Sequence, residues 1–212
     1  MDLWPYIINR EFDNFHNFRN YILTSTKNDK EKKILLWEDF KKSKGKDIDI
    51  TEEEYDLHII DINEEINETE QLLYESYIVS IFIFLERQFA YLCNFIKEKQ
   101  NNIFTYKDLK GNGIQRNVVY IEKLLEHPFP EIEHLRNKFK ISLKIRNTIV
   151  HTNGELEDSK DKEMIVKYIK DEMSEIRIIN GHLHFNTKYI ENLTGVAQGI
   201  CGEINQIRKT FK

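Results

Sequence analysis

Apolar positions along this chain recur mostly at helical spacing, and that pattern lays out its elements. Phe12, Phe15, Phe18 and Ile22, then Ile34, Leu35, Trp37 and Phe40, fall mainly three and four apart, which marks helix with one buried face. A polar stretch at 24–29 divides the two groups, so the first forty-odd residues read as one helix or two. The linker KSKGKD at 42–47 follows. Thr51 with Glu54 three residues later is a capping-box signature, and from there to about Gln100 no Gly or Pro occurs. This predicts one very long helix, or two joined without a sharp breaker. The loop FTYKDLKGNG at 104–113 leads into a helix over about 114–126. HPFP ends it, because proline lacks the helical N–H and restricts the residue before it. Ile132, Leu135, Phe139, Leu143 and Val150 keep the apolar period over 131–152, where Asn153-Gly154 supplies a left-handed stop. A charged loop at 155–162 and a short helix to about Met173 come next.

Only EIRIINGHLHFN at 175–186 reads as strand. Its two halves, 177–179 and 182–185, bracket Asn180-Gly181, the favoured pair for a two-residue hairpin with a type I′ turn. A lone hairpin is marginal, so it must pack on the helices. A final helix spans about 187–210. The predicted fold is all-α: a helical bundle with an up-and-down core of four to five helices and one small C-terminal β-hairpin. It forms one domain over 1–212, with a helical extension at 1–45, the core at 51–173, the hairpin at 175–186 and the last helix at 187–211.

Composition agrees. Eight Gly and three Pro in 212 residues leave little punctuation for a turn-rich β fold. Charge is less simple. Thirty-six acids against 31 Lys and Arg give a net −5, which at first speaks against a nucleic-acid partner. Residues 47–75, however, hold twelve acids and no Lys or Arg, whereas 104–151 holds nine cations against five acids. A phosphate backbone responds to the local field, so the basic half keeps RNA open as a partner. The acidic block then reads as a solvated helix face lying away from the cleft that would hold RNA. Cys93 and Cys201 stand 108 positions apart, in no metal-ligand spacing and unlike a secreted disulfide scaffold. The N-terminus has an acid at position 2 and no signal-like apolar run, and the most apolar stretch, YIVSIFIFL at 77–85, spans nine residues where about 20 are needed to cross a bilayer. A soluble, cytoplasmic protein without membrane contact is expected.

The segment LKIRNTIVHTNGEL at 143–156 carries the candidate chemistry. Asn147 and His151 are four apart and stack on one helix face; Arg146 lies about 140° round from His151, with a side chain long enough to reach the same place. The carbonyls at the helix end favour a protonated imidazole. Imidazole beside guanidinium suits phosphodiester cleavage, His moving protons and Arg stabilising charge on phosphate. The same pair also commonly just binds terminal carbonyls.

RNTIVH resembles the R-N-x-x-x-H motif of the HEPN superfamily, compact helical domains of prokaryotic toxins, antiviral defence proteins and the nucleases of some CRISPR systems. The run VHTNGEL resembles the V-H-x-N-G continuation common there. DLKGNGIQRNVVYIEKLL at 108–125, followed by FP, is similar to what precedes the motif in a group of bacterial HEPN-like proteins, and YIVSIFIFLERQF at 77–89 to their earlier core helix bearing a Glu. The match spans about 70–155. It implies a metal-independent, homodimeric endoribonuclease without cofactor, with two copies of the motif facing one cleft and an antitoxin or regulator as a further partner. Arg146 would contact the scissile phosphate, Asn147 orient the site and His151 act as acid and base. Attack by the 2′-hydroxyl would give a 2′,3′-cyclic phosphate and exclude DNA. The family also contains non-catalytic modules used for dimerisation or for binding a partner or nucleotide, which is the alternative. HEPN toxins silenced by a nucleotidyltransferase often carry Tyr two residues after the His; Asn153 stands there in this chain.

Lys110 and Arg116, around the KGNG loop, and Lys144 are candidate RNA contacts. Glu86, set in an apolar face, requires a partner and is expected to support the site near Arg146. His182 and His184 alternate on one strand, but without a third ligand they read as a solvent-facing pair rather than a metal site. His127 and His134 read as surface residues beside HPFP, and Glu52, Glu53 and Glu54 as solvated helix surface.

Overall fold

Among the residues described by the computed structural model (3–44, 51–100, 104–111, 113–126, 128–172 and 175–211), six α-helices and one two-stranded hairpin form an all-α bundle with a β appendage. In chain order these are α1 (Trp4–Lys44), α2 (Glu52–Lys99), α3 (Gly113–Leu125), α4 (Glu133–Thr152), α5 (Lys162–Glu172), β1 (Ile176–Ile179), β2 (His182–Phe185) and α6 (Thr187–Thr210). The second half of the 42–47 linker, Asn112, His127 and Met173 lie outside the described residues.

The polar stretch at 24–29 does not interrupt α1. Thr24, Ser25 and Thr26 turn their hydroxyls back onto the carbonyls of Asn20 and Ile22, a local bond that lets such residues sit inside a helix. Residues 52–99 are likewise one helix, started by the Thr51–Glu54 capping box in both directions. This helix is the spine. Its second half, from Tyr74 to Ile96, buries Tyr77, Ile81, Leu85, Phe89, Leu92 and Ile96 completely against α1, α3, α4 and α6. By length and composition α2 meets the criteria for a membrane span, but that apolar face is the core of the bundle. The run of acidic residues without Lys or Arg occupies its first half and ends at Glu75, about 16 Å along the axis from Glu86.

Two remote contacts hold α4. At its start no side chain of its own caps the helix; instead the Glu203 carboxylate on α6 accepts the N–H groups of Glu131 (2.7 Å) and Ile132 (3.3 Å). At its end Asn153 takes left-handed dihedrals (φ 53, ψ 38), as the Asn153-Gly154 pair predicts. The chain leaving α4 then pairs with the hairpin: Leu183 N–H donates to Gly154 O (3.1 Å) and Leu156 N–H to Gly181 O (2.9 Å). β2 is therefore a central strand, with β1 on one edge and residues 154–156 on the other. The amide of Gln71 on α2 extends that second edge, donating to Phe185 O and accepting from Phe185 N–H (2.9 and 2.7 Å). Asn180 and Gly181 both have positive φ (50 and 85), the requirement of the type I′ turn. Leu183 and Phe185 are buried, which ties the hairpin to the bundle.

Candidate active site

Four pieces of chain converge on a pocket of about 250 Å³. α2 contributes Glu86; the start of α3 contributes Gly113, Ile114 and Gln115; α4 contributes Leu143, Arg146, Asn147 and His151; the loop beyond α4 contributes Lys160. Leu143, Asn147 and His151 form one stripe at four-residue spacing, and the Arg146 side chain swings round to join them. Its Nη1 donates to Asn147 Oδ1 at 3.1 Å. Among the described residues its Nε is buried and finds no acceptor. Arg146 and Asn147 are half-buried and His151 is exposed, so the imidazole stands at the mouth with the guanidinium deeper. An arginine fork with one arm fixed by an amide is suited to an anionic oxygen ligand.

Glu86 shares the pocket with Arg146 and sits against the first residue of α3. A Cβ built on Gly113 would stand 3.3 Å from Glu86 Oε1, and Gly113 has φ +53. The carboxylate thus lies at the positive end of the α3 dipole, where a negative charge is favoured. Glycine is the residue that both the dihedral and the close approach require.

The tentative RNA contacts are arranged differently. Lys110 is exposed and outside the pocket. Arg116 also lies outside it, its guanidinium 5.4 Å from the centre of the Tyr106 ring; the neighbouring Gln115 lines the pocket instead. Lys144 donates its ammonium hydrogen bond to Asp161, which occupies it with a structural partner. His182 and His184 are part-exposed, on the face of β2 turned away from the core. They line a cleft of about 630 Å³ between α2 and the hairpin with Glu64, Glu68 and Glu175, because β2 packs its neighbours Leu183 and Phe185 inward. His182 Nε2 lies 3.6 Å from Glu155 Oε1; burial, and then His182, hold His184 below its ordinary value. Among the described residues no group of three His, Cys, Asp or Glu is placed to hold a metal. His134 is exposed. Cys93 and Cys201 are free and buried, and burial pushes both thiols up to about 12.

Gln115 and Lys160 are the pocket residues that sequence reading does not find. No local period links either to the motif: Gln115 reaches the pocket through the packing of α3 on α2, Lys160 through the fold of the 155–161 loop. No protein-family model, curated protein or solved structure matches the chain.

Proposed function

We propose that the chain is a HEPN-type, metal-independent endoribonuclease and that the pocket around Arg146 and His151 is its active site. The observation that carries this reading is the convergence in one small pocket of Arg146, its fork held by Asn147, with the exposed His151. A backbone phosphate supplies the anionic oxygens to which a guanidinium fork donates. Asn147 holds that fork through its Oδ1. His151 moves the proton: the ribose 2′-oxygen attacks phosphorus, the bond to the 5′-oxygen breaks, and one imidazole takes the nucleophile's proton while the leaving oxygen gains one. The products are a 2′,3′-cyclic phosphate and a 5′-hydroxyl. With a single His151 per chain, a homodimer that brings two pockets to one groove supplies the second imidazole. Ile83, three residues before Glu86, and Val150, next to His151, are 48% and 46% exposed, apolar surface that a second protomer could cover. A toxin or antiviral effector, held by an antitoxin or regulator, is the role such an enzyme would fill.

The test is incubation of the purified chain with mixed RNAs in EDTA, beside His151→Ala and Arg146→Ala. Cleavage to cyclic phosphate ends, lost in both variants, is expected, with a loss of roughly 10²–10⁴-fold for the histidine. Cleavage that survives in either variant, or that EDTA abolishes, overturns the mechanism. A folded chain with no cleavage at all would favour the binding-module alternative.

A further inference from the structure

Lys160 sits in a turn whose two flanking residues are each fastened to α4. On one side Ser159 Oγ meets Thr148 Oγ1 at 2.6 Å, and Thr148 itself donates to the Lys144 carbonyl. On the other side Asp161 accepts from the Lys144 ammonium. Lys144 and Thr148 are one turn apart on α4 and lie beside Asn147 and His151, so both fastenings run along the edge of the pocket. Further bonds close the turn: Ser159 N–H to Leu156 O, Asp161 N–H to Ser159 Oγ and Lys162 N–H to Ser159 O. Leu156 is 2% exposed and bonded to Gly181, which anchors the turn to the hairpin. The backbone carrying Lys160 is thus built, not loose.

The neighbouring lysines have partners. Lys144 is paired with Asp161 and Lys162 with Glu157. Among the described residues no carboxylate lies within salt-bridge distance of the Lys160 ammonium, which lines the pocket with Arg146 and His151. A compact, uncommitted ammonium on a pinned turn acts as a point charge for phosphate.

We infer that Lys160 is a phosphate-binding residue of this pocket, gripping the RNA backbone beside the phosphate that Arg146 contacts; this rests on the nuclease reading above. Arg146 provides the oriented fork and Lys160 a second positive charge in the same pocket as the exposed imidazole. Lys160 lies nine residues beyond the R-N-x-x-x-H segment and is no part of it; the pinned turn and the pocket lining carry its role.

The experiment measures affinity for a short mixed-sequence single-stranded RNA over a salt series, in a His151→Ala background that prevents turnover, with Lys160→Gln and Lys160→Arg added. Lys160→Gln is expected to weaken binding about threefold to tenfold and to reduce the log–log salt slope by about 0.7, the value of one phosphate contact on a single strand; Lys160→Arg restores both. The melting temperature stays the same, because the side chain is exposed. Unchanged affinity, a weaker complex with an unchanged slope, or no RNA binding in any of these variants overturns the inference. Cleavage by the otherwise native chain is read separately. A protein that binds RNA through Lys160 but cuts none loses the nuclease reading alone; one that cuts RNA with the same KM in Lys160→Gln loses this inference alone.

Discussion

Gly113 stands so close to Glu86 that a methyl group added to its Cα would lie 3.3 Å from carboxylate Oε1. The carboxylate and the helix start were therefore fitted to each other, and one substitution tests both. Gly113→Ala adds the left-handed penalty, roughly 1–2 kcal/mol, and also displaces Glu86. Gly181, at φ +85 with nothing within 4 Å of its built Cβ, carries the dihedral penalty alone. Denaturant unfolding of the two variants should show the larger loss at Gly113, and only Gly113→Ala should also lower RNA cleavage beyond its effect on stability.

Arg146→Lys keeps the charge but loses the fork that reaches Asn147. One ammonium cannot hold the amide and present planar paired donors to phosphate. RNA cleavage should fall at least about tenfold with little change in melting temperature. Activity equal to that of the native chain would mean that Arg146 acts as a point charge only.

The Tyr77–Thr194 pair should respond unequally to its two deletions. Thr194 donates its hydroxyl hydrogen to Ile190 O (2.7 Å), so the buried 2.8 Å contact has Tyr77 as donor. Tyr77→Phe removes that donor and leaves Thr194 its backbone bond, costing about 1 kcal/mol. Thr194→Val strands the Tyr77 hydroxyl in the core and should cost more, roughly 1–3 kcal/mol. A larger loss for Tyr77→Phe in urea unfolding would reverse the donor assignment.

Glu75 gives a pH-dependent term of definite sign. Burial raises its carboxyl above 4.5, and His182 opposes this. Above 4.5 the unfolded chain ionises first, so between that value and the raised folded value stability falls as pH rises. Glu75→Gln should melt higher at neutral pH and lose this part of the pH dependence. His184, lowered by burial, works in the other direction: as pH falls through 6.5 the unfolded chain takes up the proton first and stability drops. A Glu75→Gln variant that melts lower at neutral pH would show that the carboxylate gains more from its surroundings than burial costs it.

Much of this fold is written in short-range signals. The Thr51–Glu54 box, the Asn153-Gly154 stop and the Asn180-Gly181 turn each sit where local chemistry allows few alternatives, and each appears in the structure. The 24–29 stretch shows the limit of reading polarity as a break: its hydroxyls bond back within the helix and α1 continues. The pocket divides in the same way. Arg146, Asn147 and His151 share four-residue spacing or a long reach, so their convergence is legible from one helix. Gln115 and Lys160 arrive from segments whose placement depends on tertiary packing, which no periodicity encodes. Lys144, the cation nearest the motif in sequence, is bonded to Asp161, a partner seventeen positions away.

The bracing of α4 by the hairpin imposes an order in time. Gly181 and Leu183 leave the ribosome well after His151, and Glu203, which holds the other end of α4, later still. A nascent chain therefore exposes its RNTIVH segment before either brace exists, and the Lys160 turn has nothing to anchor Leu156. The pocket is therefore fully braced only once residues through Glu203 have emerged, and a nuclease of the kind proposed would stay idle while the segment from His151 to Glu203 is being translated.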